Sequence, residues 1–415
     1  MKKWMRAACV GAAAAAMLTA SAFAADYTNC ADALHDMGLF QGTEQGYDLD
    51  REPTRAEAAA MLVRLLGKEA EAKELTYTAP FTDLKNWQKP YVQYLYENGL
   101  VNGTSAASFS PQRACTAQMY AAFLLRALGY DDPADFTYVE AVAAAKELGI
   151  YDTGVIKMTD YHAAFLRDDV AAASYTALSV SPKGEDGTLL DKLTAEQSID
   201  AAEAKPYQKL FADYEAYRTA AAGMDTLLHF SVNSAYLSPV TVSRDDKTVM
   251  QVQTNETTVF DREAGKLRTD RKITLSAPGV EDKSMLAVTE LEDSVLYHTL
   301  NGSKGTGTVC TQTEQEGLTA MYGHVPLAWV SELKKGTGGS WSITCAAAPK
   351  AYREMLWPMQ TALGDLNEAV LLTPVTVEQS ISGGLIRKQS VSAEFTLDGL
   401  HAASVFVSTL DKTGA

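Results

Sequence analysis

The sequence predicts a multidomain chain: an all-α repeat array over residues 25–180, a linker over 181–204, and an α+β domain with a curved antiparallel sheet over 205–415. Three observations carry this. A Gly-Leu or Gly-Ile pair, followed 16 or 17 residues later by the start of a second helix, occurs three times in the first half. Near-constant offsets of this kind mark one supersecondary unit used repeatedly, since a lone helix pair buries its apolar face only against a neighbour. Apolar spacing then follows a helical period up to Val180 and shifts toward two after Thr226, with the turn-rich stretch 181–187 between them.

The first 24 residues read as a secretory leader. Lys2, Lys3 and Arg6 precede an apolar run from Ala7 to Leu18, and Ala22-Phe23-Ala24 offers small residues for cleavage. That run is shorter than the ~20 residues a membrane helix needs. No later stretch is long and apolar enough to span, and no Cys follows the cleavage site, so an exported chain without a lipid anchor or a membrane span is expected. The formal net charge is −16, and the leader holds three basic and no acidic residues, so the mature chain is more acidic still. Such a surface repels phosphate backbones, which argues against a nucleic-acid partner.

The first repeat, about 26–70, places Ala31, Leu34 and Met37 on one helical face, then Gly38-Leu39, a glycine-containing loop and Thr54-Arg55-Ala56-Glu57. Thr54 with Glu57 three residues on forms a capping box. Arg55 stands in the first helical turn, where the helix dipole mildly disfavours a cation, and a residue placed against that preference invites a functional reason. The second repeat, about 81–132, runs from Phe81-Thr82-Asp83 through Trp87, a helix opened by Pro90, Gly99-Leu100 and Phe109-Ser110-Pro111 to Thr116-Ala117-Gln118-Met119. The third, about 136–180, passes through Gly149-Ile150 to Leu166-Arg167-Asp168-Asp169, where Leu166 replaces the capping residue and the box is expected to be lost.

These words, Phe81-Thr82-Asp83, Gly99-Leu100-Val101-Asn102-Gly103, Phe109-Ser110-Pro111 and Thr54-Arg55-Ala56-Glu57, make the first half resemble the S-layer homology module of bacterial surface proteins. The resemblance implies a pseudo-threefold bundle at the cell wall, whose grooves between repeats bind an anionic, often pyruvylated, secondary cell-wall polysaccharide. Arg55 and Arg167 match the family's arginine and are expected to clamp carboxylates, since a guanidinium presents a rigid fork reinforced by N–H groups at a helix start. Asp83 and Trp87 match groove positions where an acid accepts sugar hydroxyls and an indole stacks on a sugar face. Ala117 and Met119 depart from the pattern, and the groove there is expected to be weak or empty.

In the second half, a modest helical stretch around 193–204 leads to Pro206, and a helix is expected from Tyr207 to Ala222. Thr257–Phe260 and Leu267–Leu275 flank a turn as a hairpin, as do Met285–Glu290 and Val295–Leu300, while Val249–Gln253 is ambiguous. Ser340–Cys345, Val375–Ile381, Leu385–Phe395 and His401–Thr409 complete the strands, and a second helix is expected over 350–363. The order is similar to the curved sheets of lipoprotein carriers, which implies an apolar ligand or another surface protein as partner.

No catalytic constellation is visible. The stretch 302–307 lacks a phosphate loop's Gly-Lys-Ser/Thr ending, the histidines stand singly, and no GxSxG surrounds a serine. No cysteine lies at metal-ligand spacing, so neither a metal nor a cofactor is expected. The pairings Cys310–Cys345 and Cys30–Cys115 stay open. A non-catalytic, wall-anchored surface protein is therefore expected; the alternative is a wall-attached enzyme whose active site in 205–415 is too dispersed to read.

Overall fold

The computed structural model describes residues 27–42, 46–151, 164–310, 322–346 and 370–414, together with 315 and 318. The leader expected over 1–24 and the helix expected over 350–363 lie outside these residues. The chain divides into two compact units, Tyr27–Ala212 with Pro326–Ala328, and Asp213–Val325 with Trp329–Ala415. Helices fill the first and a large antiparallel sheet fills the second.

The helical unit holds α1 (Thr28–Asp36), α2 (Arg55–Leu65), α3 (Glu69–Glu74), α4 (Lys89–Glu97), α5 (Ala117–Ala127), α6 (Ala141–Glu147), α7 (Arg167–Ala177) and α8 (Leu189–Ala195). Gly38, Gly99 and Gly149 end α1, α4 and α6 in the left-handed region, at φ of +73°, +70° and +76°. The next residue's N–H then bonds back five positions: Leu39 to Leu34 O at 2.8 Å, Leu100 to Leu95 O at 2.8 Å, Ile150 to Ala145 O at 2.9 Å. This is the Schellman closure, and it explains why the repeated word is glycine followed by an aliphatic residue.

Capping sets the starts of the second helices. Glu57 N–H donates to Thr54 Oγ1 at 3.3 Å while Thr54 N–H donates to Glu57 Oε2 at 2.8 Å. Thr116 keeps only the first half, accepting from Met119 N–H at 3.2 Å, because methionine has no oxygen to return. At α7 the expectation needs correcting: Leu166 has no capping oxygen, yet its N–H donates to Asp169 Oδ2 at 2.7 Å, so the return half of the box survives.

The helix pairs engage cyclically. The second helix of each repeat packs on the first helix of the next: α2 on α4, α5 on α6, and α7 on α1. Helices α2, α5 and α7 also touch one another, around a core that includes Leu62, Tyr120, Phe123 and Leu124. Pro206 does not interrupt the chain as expected. A single helix, α9 (Ala201–Ala221), runs through it, and the division between the units falls within α9. Its start is set by Asp200, whose Oδ1 accepts from Ala202 N–H at 2.7 Å, and Pro206 in the second turn forfeits one backbone bond without ending the helix.

The sheet unit contains fourteen antiparallel strands among the described residues: β1 (His229–Tyr236), β2 (Val240–Arg244), β3 (Lys247–Asp261), β4 (Lys266–Ala277), β5 (Val280–Glu292), β6 (Val295–Leu300), β7 (Ser303–Lys304), β8 (Thr308–Val309), β9 (Val330–Lys335), β10 (Ser340–Cys345), β11 (Val370–Leu371), β12 (Val375–Ser382), β13 (Leu385–Leu397) and β14 (Leu400–Thr413). The main path is β7-β6-β5-β4-β3-β1-β14-β13-β12-β10-β9. The ambiguous stretch 249–253 belongs to β3 and pairs with β2 and β4. Alternation along β3 and β4 buries Val252, Phe260, Leu267 and Ile273 on one face. Against the sheet, Tyr217 of α9 donates its hydroxyl to Gln379 Oε1 at 2.8 Å and meets the Trp341 ring edge-on at 5.6 Å. Cys30, Cys115, Cys310 and Cys345 are buried thiols, and neither open pairing forms a disulfide.

Candidate functional site

The backbone at the start of α2 brings Arg55 to the loop of the second repeat. Its Nε donates to Phe109 O at 3.1 Å and its Nη2 to Asn102 O at 2.6 Å, and the guanidinium lies over the rings of Phe109 (4.6 Å) and Phe123 (5.2 Å). Arg167 repeats the arrangement at α7, with Nε to Tyr47 O at 3.0 Å and the guanidinium 5.5 Å from the Phe40 ring centre. Each is only 6% exposed. Burial lowers the pKa of both, with further contributions from Arg113 and Arg126 at Arg55, and from Arg51 and Arg64 at Arg167.

Two features bear on the carboxylate clamp expected at these arginines. A fully surface-borne clamp would leave the fold indifferent to either arginine, whereas both are buried ties between repeats. The helix-start N–H groups are also occupied: Arg55 N–H bonds Arg113 O at 2.8 Å and Ala56 N–H bonds Pro111 O at 3.1 Å, while Arg167 N–H bonds Arg51 O at 2.9 Å and Asp168 N–H bonds Leu49 O at 3.1 Å. Carbonyls of the partner loop take these donors, so they do not reinforce a ligand in this structure.

Asp83 sits on the other side of the same loop. Its Oδ1 accepts from Phe109 N–H at 3.0 Å, and its Oδ2 from Ser110 N–H at 2.9 Å and from the Ser108 hydroxyl at 2.5 Å. Partial burial works to raise its pKa, but these hydrogen bonds outweigh that and hold the carboxyl below its ordinary value. Arg55 and Asp83 thus hold the Phe109 backbone through its carbonyl and its N–H respectively, one in each of the two peptide groups flanking Phe109 Cα. Trp87 is 48% exposed, just ahead of α4, with its ring 6.5 Å from that of Tyr91. The positions missed from sequence are Arg51 and Arg113. Each stands three residues before a threonine cap, and aligning the repeats on Thr54 and Thr116 would have exposed the pair.

In the sheet unit, Glu256 and Arg271 face each other across β3 and β4 as a buried ion pair joined through Arg271 Nε. Burial keeps the Glu256 pKa raised despite Arg271. The opposite, exposed face carries an open groove of about 720 Å³ whose lining includes Leu286, Lys272, Asn255, Ala235 and Val407, one register row across five strands. Among the described residues no group of His, Cys, Asp and Glu could hold a metal ion, and no helix is long and apolar enough to cross a membrane.

Three helix pairs joined head to tail, with loop carbonyls of one repeat capping the helix of another, define a repeat-built module. Residues 80–116, the centre of the second repeat, match the S-layer homology domain, and the chain carries that domain. It is 32% identical over 140 residues to the middle cell wall protein of Brevibacillus brevis, a match covering 33% of this chain and 13% of that protein. It is also 33% identical over 101 residues to a surface layer protein of Brevibacillus choshinensis, covering 24% and 9% of the two. An endoglucanase of a Bacillus species is 40% identical over 77 residues, 19% of this chain and 8% of the enzyme, and this match is confined to the repeat region. The chain thus spans only about a tenth of the length of each relative. Among solved structures, a β-barrel-like protein from Brucella abortus covers 45% of this chain and 100% of its own at 8% identity, with a TM-score of 0.18, too slight a similarity to define the sheet unit. The S-layer homology domain and these relatives indicate an exported protein of the cell surface, associated with the wall.

Proposed function

We propose that residues 26–180 form a pseudo-threefold bundle of three S-layer homology repeats that anchors the chain, without catalysis, to an anionic secondary cell-wall polysaccharide of the pyruvylated kind. The observation that carries this reading is the repeated loop-to-helix tie. Arg55 on the second repeat's loop and Arg167 on the first repeat's loop adopt matching hydrogen bonds, in a chain whose second repeat matches the domain over residues 80–116. Both arginines hold the groove walls in place from behind, as carboxylate-binding positions whose charge underlies the grooves, Asp83 shapes the adjoining loop, and the exposed Trp87 offers a face on which a sugar ring stacks.

In this reading the curved sheet of the second unit is a binding module for an extended or apolar ligand, or for another surface protein. Its exposed groove, aliphatic along Ala235, Leu286 and Val407 and polar at Asn255 and Lys272, supports that role.

The test is co-sedimentation of the chain with purified cell walls, before and after extraction of the secondary polymer. Binding that vanishes on extraction is expected. Undiminished binding to extracted walls would move the receptor to peptidoglycan, and failure to bind intact walls would refute the anchoring role.

A further inference from the structure

The first and second repeats present the same loop 62 residues apart, and the loops differ in charge. Tyr47 and Phe109 each offer a carbonyl to a buried arginine, Leu49 and Pro111 cap the second helix N–H, and Arg51 and Arg113 cap the first. Asp48 and Ser110 both take positive φ, at +51° and +58°. In the first repeat, Arg51 is neutralised: Nη1 and Nη2 bind the two oxygens of Glu57 at 3.0 and 2.9 Å, and Nε lies 3.7 Å from Asp48. In the second repeat the residues at those two acidic positions are Met119 and Ser110. The Arg113 side chain is exposed and makes no hydrogen bond or ion pair among the described residues. Asp83, the carboxylate that binds this loop from the start of the repeat, has both oxygens engaged by Ser108, Phe109 and Ser110.

We infer that Arg113 is the residue that contacts an anionic substituent of the wall polymer, and that Arg55 is a positioning residue behind it. Arg113 O accepts from Arg55 N–H at 2.8 Å, which fixes the Arg113 backbone beside the buried Arg55, and the Arg113 charge is felt there, helping to lower the Arg55 pKa. The equivalent site at Arg167 is closed to an anion, because Glu57 already occupies the fork of Arg51. One chain thus contains an occupied and an open version of the same oxyanion site, and the open one takes a small oxyanion, carboxylate or phosphate, in bidentate geometry. This deepens the anchoring reading above and rests on it.

The experiment uses the whole chain and purified walls, with Arg113→Glu and Glu57→Gln compared with the parent, and thermal melting recorded for each. Arg113→Glu should weaken wall affinity at least about tenfold with an unchanged Tm, since losing a charged hydrogen bond of ~1.5 kcal/mol is already a tenfold effect. Glu57→Gln keeps the capping box and releases Arg51, so it should strengthen binding. Competition by a pyruvate-ketal methyl glycoside identifies a carboxylate, and competition by glycerol phosphate identifies a phosphate. Displacement by neither, or parental affinity of Arg113→Glu, overturns the assignment while anchoring stands. If the parent chain itself does not sediment, the anchoring reading falls first.

Discussion

A guanidinium with almost no exposure and two carbonyl acceptors is a tie before it is a contact, and this determines how substitutions at the candidate site separate stability from binding. Removing Arg55 leaves the carbonyls of Asn102 and Phe109 without a donor and empties the space over two aromatic rings. An orphaned buried acceptor costs roughly 1–3 kcal/mol, so Arg55→Ala should destabilise the helical unit by about 2–4 kcal/mol in denaturant melts. Trp87, half exposed, should behave in the opposite way: Trp87→Ala should change stability by less than about 0.5 kcal/mol and still weaken wall binding. A stability loss for Trp87→Ala as large as that for Arg55→Ala would mean that the indole is a core residue and not a platform. The two arginine positions were legible from the repeat pattern, because the helix-start word recurs. Their burial was not legible, because it depends on which loop folds over each helix start, and that loop belongs to another repeat.

Among elements, α3 shows how a short helix stays in place without an apolar stripe of its own. Its only buried residue is Ala72, and the element is fixed instead through Glu69, whose Oε1 accepts the Tyr91 hydroxyl of α4 at 2.6 Å and Arg64 of α2 at 3.1 Å, with Lys73 also at 3.1 Å. Partial burial works to raise the Glu69 pKa, but these three donors outweigh it and bring the pKa down to about 2. A carboxylate whose folded pKa lies below its unfolded value, ~4.3, adds stability that is complete above ~4.3 and lost as pH falls toward 2. The Tm gap between the parent and Glu69→Gln should therefore be present at pH 7 and close between pH 4 and 2; a gap that persists at pH 2 would place the stabilisation elsewhere. This network was unreadable from sequence, since Arg64, Glu69 and Tyr91 come from three helices. The strands were more legible: Ser340–Cys345 has the bounds expected, because alternation and flanking turns are local signals. The continuous helix through Pro206 was not, because the Asp200 cap that starts it lies upstream of the proline taken as a break.

On the scale of the whole molecule, net charge and local charge oppose each other. The chain carries a formal charge of −16, and an anionic wall polymer repels it at long range. In the proposed binding mode, attraction arises within a few ångströms of exposed guanidinium groups such as Arg113. Salt screens the two interactions unequally: the Debye length falls from ~30 Å at 0.01 M to ~8 Å at 0.15 M, which removes the long-range repulsion while a close, partly desolvated contact survives longer. The association rate onto immobilised polymer should therefore rise between 0.01 and 0.15 M salt, the reverse of the usual behaviour for oppositely charged partners, and the dissociation rate should rise more gently. Arg113→Glu should leave the salt trend of association intact and act mainly on dissociation, because one exposed residue changes the contact far more than the field of the whole chain. An association rate that falls with salt in the parent would mean that a basic patch steers the encounter despite the acidic total, and the balance between long-range repulsion and local attraction would have to be drawn the other way.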